Sequence, residues 1–196
     1  HDVDRKIQQT IIDGMPILMV VSVAGTTEMG EVDPVHLVQD VLDKYKKLGV
    51  SIWHHVDAAY GGYFASMLDG GELESKLSPQ VSASFRAIGR VNSITLDPHK
   101  LGYVPYACGA FLVRDDEHYQ TKAFHAAYLL SKNNSKWSLT LEGSRTGSGV
   151  TATWLSNRVL GLNADGYGRI LQKGLEARKI LKAEMQNKIP DILVIE

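Results

Sequence analysis

The chain has 196 residues, 44% hydrophobic and 22% charged, with a formal net charge of −1, which is enough apolar content for a sizeable core and too little basic excess for a nucleic-acid surface. Its longest mostly apolar stretch, residues 15–24, is too short to cross a bilayer, and no secretory apolar region stands at the start, so no membrane partner is expected. The single Cys108 excludes an internal disulfide framework and, with the seven histidines, shows no zinc-ligand spacing, so no metal is expected and a reducing, cytoplasmic setting is the default.

Residues 16–23, PILMVVSV, form a continuous Val-rich apolar run closed by Ala24, Gly25 and Thr26, which predicts a strand buried on both faces. A helix follows, with Asp33 as N-cap and Pro34 as first helical position. Val35, Val38, Val41, Leu42 and Tyr45 recur at helical spacing up to a stop at Gly49. Residues 51–58, SIWHHVDA, read as the next strand, so strand, helix and strand make a βαβ unit with a right-handed crossover. Residues 92–97, NSITLD, predict a further strand, and residues 106–115, after only a turn, its antiparallel neighbour.

Residues 123–137 are irregular and end in SKNNSKW, which reads as a loop, while 149–162 and 166–188 are helical by composition and spacing. The expected organisation is one α/β domain over residues 1–188, with a second, smaller element starting in 189–196. The chain starts at His1 without an initiating Met and ends in the apolar run DILVIE, so a piece of a larger protein is expected.

Successive strand residues face opposite ways, so His55, Asp57 and Ala59 share one face, and His54 and Val56 the other. The two adjacent histidines therefore cannot hold one metal. Asp57 ends its strand, where open α/β sheets bind ligands, although a strand-end Asp also serves simply to cap a turn. Ala59 would let a flat ring lie close to the sheet. Lys100 stands 43 residues after Asp57 in DPHKLGYVPYACGAFL, among apolar residues that put its amine at risk of burial, the bland alternative being a snorkelling surface lysine. Asp97 and His99 flank it and suit positioning a phosphate or an aldimine formed on the lysine, or merely a turn.

An amine to take up an aldehyde and a carboxylate to keep a ring nitrogen protonated are what a pyridoxal-phosphate enzyme needs. The order HVDAAYGG then DPHK, with Thr26 31 residues before Asp57, resembles the group II pyridoxal-phosphate-dependent amino-acid decarboxylases of fold type I, from MVVSVAGTTEMGEVDP to GSRTG. The resemblance implies an incomplete fold type I large domain, a mainly parallel sheet flanked by helices, with pyridoxal 5'-phosphate as cofactor. It makes Lys100 the internal-aldimine lysine and Asp57 the partner of the pyridinium nitrogen. By the same resemblance Ala59 contacts a ring face, Thr26 bonds to the ring oxygen or substrate carboxylate, and His99 contacts the phosphate. Asp97 occupies a position where some relatives carry Asn, and its carboxylate would repel a phosphate. Ser144 matches a position that reaches the phosphate of the neighbouring subunit, which implies a homodimer with shared sites. Tyr128, 28 residues after Lys100, matches a loop tyrosine that returns a proton to the α-carbon; an ordinary loop tyrosine is the alternative.

Other strings carry less. TGSGVT at 146–151 lacks the ending of a nucleotide P-loop and reads as a helix entrance. Cys108 reads as a small core residue, and Arg145 suits an acid or an anion. The wording around Lys100 and in EGSRTG resembles the microbial tyrosine and aspartate/glutamate branches, with tyrosine placed ahead. Relatives carry their main phosphate loop and a ring-stacking histidine upstream of these residues. Little activity is therefore expected from the 196 residues alone, and full activity from a longer dimer. Another fold type I enzyme, an aminotransferase or lyase, or an inactive dimer scaffold are the alternatives. A scaffold has no physical need of the Lys100 and Asp57 pair.

Overall fold

The computed structural model describes residues 2–69, 71–115, 117–120, 145–189 and 191. Four strands, β1 (Met19–Val23), β2 (Trp53–Asp57), β3 (Ser93–Leu96) and β4 (Ala110–Val113), form one sheet in the order β1-β2-β3-β4. The first three are parallel, with Val23 opposite Asp57 and Asp57 opposite Thr95. β4 runs antiparallel to β3, with Thr95 opposite Phe111, as expected for a strand that follows with no helix between.

Helix α1 (Asp2–Ile12) and helix α2 (Val35–Lys47) pack together around Ile7, Val38, Leu42, Tyr45 and Ile52, with Val20 of β1 against the same cluster. The helical spacing expected for α2 is seen in its buried residues Val35, Val38, Leu42 and Tyr45. Lys44, Lys46 and Lys47 occupy its last turn, where cations favour the helix dipole, and Gly49, at φ +86°, turns the chain away. Helix α3 (Pro79–Ala87) starts at an N-cap, Ser78, whose side chain accepts from the Val81 N–H, with Pro79 at the first position. It supplies Phe85 and Ala87 to a core with Ala24, Val35, Val56 and Ala58. After the short α4 (Glu117–Gln120) come α5 (Ser148–Leu160), a π-helical segment at Ala164–Gly168, and α6 (Arg169–Lys188). No helix among the described residues is long and apolar enough to cross a membrane.

Two local expectations are corrected. Asp33 does not cap α2: its carboxylate accepts from the Val23 N–H at 2.7 Å, its own N–H donates to the Val23 carbonyl, and Pro34 is the N-cap residue. Pairing with the end of β1 satisfies a strand donor that would otherwise have no ladder partner. Nor is β1 buried on both faces. It is an edge strand of this sheet among the described residues, and while Ser22 is buried towards α2, Met19 and Val21 are about half exposed on the opposite face. The predicted loop over residues 123–137, Tyr128 and Ser144 lie outside the described residues.

Candidate active site

Three turns meet at the carboxyl ends of β1, β2 and β3, and backbone hydrogen bonds join them. The Ala24 N–H donates to the Asp57 carbonyl at 2.8 Å, the Ala58 N–H to Thr95, and the Asp97 N–H to Ala59 at 3.2 Å. Each turn thus fixes its neighbour, and the side chains at 26, 57, 59, 97, 99 and 100 ride on one connected backbone.

The turn after β1 passes very close to the turn after β2. A Cβ on Gly61 would lie 2.2 Å from the Ala24 carbonyl oxygen, and one on Gly25, already at φ +99°, would lie 2.8 Å from Gly61 Cα. Only glycine fits at this crossing. Beyond it, Gly25 and Thr26 donate their N–H groups to the Glu31 carbonyl, and the half-buried Thr26 Oγ1 accepts from the Glu31 N–H at 3.0 Å. The Thr26 hydroxyl proton is left to donate elsewhere.

Asp57 ends β2 as an exposed carboxylate, and its Oδ1 accepts from the Ala59 N–H at 3.1 Å. It is both the turn cap and the strand-end acid that its position predicts, because a carboxylate has acceptor capacity for more than one donor. His54 and His55 face opposite ways, as expected. His54 is fully buried, with Nδ1 2.8 Å from Gln39 Oε1 and Nε2 2.9 Å from Ser22 Oγ. Burial, with His55 nearby, pushes its pKa down to about 4. The amide oxygen of Gln39 can only accept, so Nδ1 carries the proton and Ser22 donates to Nε2. On the side of Asp57, His55 has Nδ1 2.8 Å from Ser93 Oγ and Nε2 3.1 Å from Thr95 Oγ1. Burial lowers its pKa while the Asp57 carboxylate opposes that shift.

The turn after β3 carries Asp97, Pro98, His99 and Lys100. The Lys100 N–H donates to the Asp97 carbonyl and the Val104 N–H to that of Pro98, which rolls the segment into a tight turn. His99 is anchored twice to Cys108, its N–H donating to the Cys108 carbonyl and its Nδ1 accepting from the Cys108 N–H at 2.9 Å. A neutral His99 therefore holds its proton on Nε2, and its ring stacks on Tyr106 with centroids 4.2 Å apart. Cys108 is half-buried, its Sγ 3.1 Å from Thr153 Oγ1 on α5, in keeping with a packing role. The Lys100 side chain is about a third exposed, and its amine lies 2.9 Å from Asp97 Oδ2.

Two buried tyrosines hold this turn from below. The Tyr167 hydroxyl donates to the Gly102 carbonyl at 2.9 Å and pairs with Ser156 Oγ at 2.7 Å. The Tyr63 ring, 4.9 Å from that of Tyr167, is so close to Gly102 that an added Cβ would lie 2.6 Å from it. Burial pushes the Tyr63 hydroxyl up to about 12, so it stays neutral. Sequence reasoning missed both tyrosines, whose partners lie far away along the chain. It left Asp97 open among a phosphate, the lysine's aldimine and a plain turn, and the structure sets its carboxylate against the Lys100 amine.

The family model described as pyridoxal-dependent decarboxylase conserved domain matches residues 1–196. The L-tyrosine decarboxylase of Enterococcus faecium is 35% identical over 198 residues, covering 89% of this chain and 32% of that protein. The L-aspartate decarboxylase of Thermococcus kodakarensis is 34% identical over 197 residues, covering 99% of this chain and 45% of that protein. Among solved structures, mouse CSAD in apo form aligns with a TM-score of 0.70 at 23% identity, over 98% of this chain and 37% of that one. Oryza sativa TDC with PLP and tryptamine aligns with a TM-score of 0.62 at 24% identity, over 83% of this chain and 31% of that one. These structural likenesses concern the fold, which is that of the fold type I enzymes. The chain spans less than half the length of each of these relatives and, by the match over all its residues, belongs to the pyridoxal-dependent decarboxylase family.

Proposed function

We propose that the protein carrying this chain removes the α-carboxylate of an L-amino acid as carbon dioxide and leaves the amine, using pyridoxal 5'-phosphate. The observation that carries this reading is the placement of Asp57 at the carboxyl end of β2 and of Lys100 on the turn after the adjacent parallel β3, with the two strand ends joined by the Asp97 to Ala59 hydrogen bond. The donor set fits the cofactor: one primary amine, one strand-end carboxylate, and the small Ala59 two residues beyond that carboxylate.

When bound, the cofactor supplies an electron-accepting protonated ring. Lys100 tethers it through its amine. Asp57 keeps the ring nitrogen protonated through a charge-assisted hydrogen bond. Ala59 leaves space for a ring face, and Thr26 donates its remaining hydroxyl proton to the ring oxygen or the substrate carboxylate. His99, with Nδ1 already engaged, offers Nε2–H to the phosphate. Tyr128 returns a proton to the α-carbon, and Ser144 reaches the phosphate of a second copy in a homodimer with shared sites. The end of α6 at Lys188 supports a domain division at 188/189, and the single cysteine supports a cytoplasmic setting. Tyrosine is the substrate placed first, ahead of aspartate and glutamate.

The test uses the full-length protein with pyridoxal 5'-phosphate, fixed by borohydride and digested for peptide mass analysis. L-tyrosine, L-aspartate and L-glutamate are then offered, and amine and carbon dioxide are measured. Attachment at Lys100, lost in Lys100→Ala, with equal yields of amine and carbon dioxide, is the expected result. A folded protein with no attachment at Lys100 would overturn the proposal, and a keto acid as product would move it to the aminotransferases.

A further inference from the structure

Asp97 Oδ2 lies 2.9 Å from the Lys100 amine and 3.6 Å from His99 Nε2, and the Asp97 side chain is only 14% exposed. Its other oxygen, Oδ1, lies beside Gly109, where an added Cβ would come within 3.1 Å of it. The carboxylate therefore has little freedom to follow the amine elsewhere. His99, its ring held by the Cys108 N–H and stacked on Tyr106, keeps Nε2 at 3.6 Å from Asp97 Oδ2, beyond hydrogen-bond distance, whereas the Lys100 amine is within it. The turn thus sets a largely buried carboxylate against the amine of the more exposed Lys100 side chain.

An ammonium held by a carboxylate has no lone pair to offer. For Lys100 to join an aldehyde, the amine must leave Asp97 and give up a proton to solvent; it then adds to the aldehyde carbon, and water departs as the carbon–nitrogen double bond forms. When a substrate amine takes its place on that carbon, Lys100 leaves, regains a proton and needs a partner. We infer that Asp97 is a positioning residue that docks the free Lys100 amine, in the cofactor-free protein and again each time substrate displaces it. The inference rests on the proposed function and adds to it a residue that favours the released over the attached lysine, so that substrate exchange is eased at the expense of cofactor retention.

The test compares wild type with Asp97→Asn in the full-length protein, using two aldehydes: pyridoxal 5'-phosphate, and pyridoxal, which lacks the phosphate. Attachment at Lys100 is titrated, fixed by borohydride, which delivers hydride to the carbon of the double bond, and quantified by peptide mass. Loss of a charge-assisted hydrogen bond from the released state predicts about tenfold tighter retention of both aldehydes in the variant. A gain confined to pyridoxal 5'-phosphate would show that Asp97 acts by repelling the phosphate and would overturn the inference, as would unchanged retention of both. Should the Asn variant not fold, Asp97→Ser is put through the same comparison with the same expectation. Absence of any wild-type adduct at Lys100 is a different outcome and would sink the proposed function itself.

Discussion

The hydroxyl of Tyr167 donates to the carbonyl oxygen of Gly102 at 2.9 Å, so a side chain from just before α6 closes on the turn that carries Lys100, 65 residues earlier in the chain. Tyr167 is fully buried, and its oxygen also pairs with Ser156 Oγ, so the bond is made in a dry, fully partnered environment. A residue near the start of α6 thereby supports the turn of Lys100.

Tyr167→Phe keeps the ring against Tyr63 and removes the hydroxyl, leaving the Gly102 carbonyl without this donor. A loss of about 1–2 kcal/mol is expected in denaturant unfolding, together with weaker cofactor retention at Lys100. Unfolding and borohydride trapping measured on the same preparations check it, and wild-type values in both would show that Tyr167 does not hold the turn.

Gly61 is the tightest of the backbone crossings that shape the site. Gly61→Ala places a Cβ against the Ala24 carbonyl and forces the turns after β1 and β2 apart, at a cost of about 2 kcal/mol or more. Gly89→Ala is the control: nothing lies within 4 Å of its added Cβ, and a change within about 0.5 kcal/mol is expected. Equal effects of the two substitutions in thermal unfolding would contradict the close-approach argument.

His54 makes stability depend on pH. Its native pKa, about 4, lies below the ordinary histidine value of 6.5, so between those values the unfolded chain binds a proton that the native state refuses. Stability is therefore full above pH 6.5, falls as pH drops towards 4, and shows no further loss from this group below that. The loss is on the order of 3 kcal/mol. Urea unfolding across that range should show the slope in wild type and a shallower one in His54→Asn, whatever the variant's starting stability.

Asp57→Asn separates tethering from chemistry. The amide cannot hold a proton on the ring nitrogen, while Lys100 is untouched, so cofactor still attaches at Lys100 and decarboxylation falls by about 100-fold or more. Attachment and turnover measured in parallel check this. Full turnover in the variant would remove Asp57 from its proposed role.

Much of this was legible in local sequence. The Val-rich run before Gly25, the helical spacing from Val35 to Tyr45 and the strand ending at Asp57 reflect periodicity and punctuation, which act over a few residues and need no distant partner. The same alternation assigned His54 and His55 to opposite faces, as the burial of His54 bears out. Where a residue's partner lay elsewhere, the reading went astray. Asp33 looked like a helix cap and is spent on the Val23 N–H, and Val21 looked like core but is half exposed on the face of β1 turned away from α2.

The sequence by itself determined the α/β alternation, the family, and the presence of one lysine and one aspartate suited to a common cofactor. Only the tertiary structure decided that Asp97 faces the Lys100 amine, that Tyr167 closes on Gly102, and that Gly25 and Gly61 let two turns cross. The physical reason is that residue type fixes which bonds a side chain can make, whereas the choice among partners depends on which backbones packing brings together, and a close approach or a shared carboxylate leaves no periodic trace along the chain.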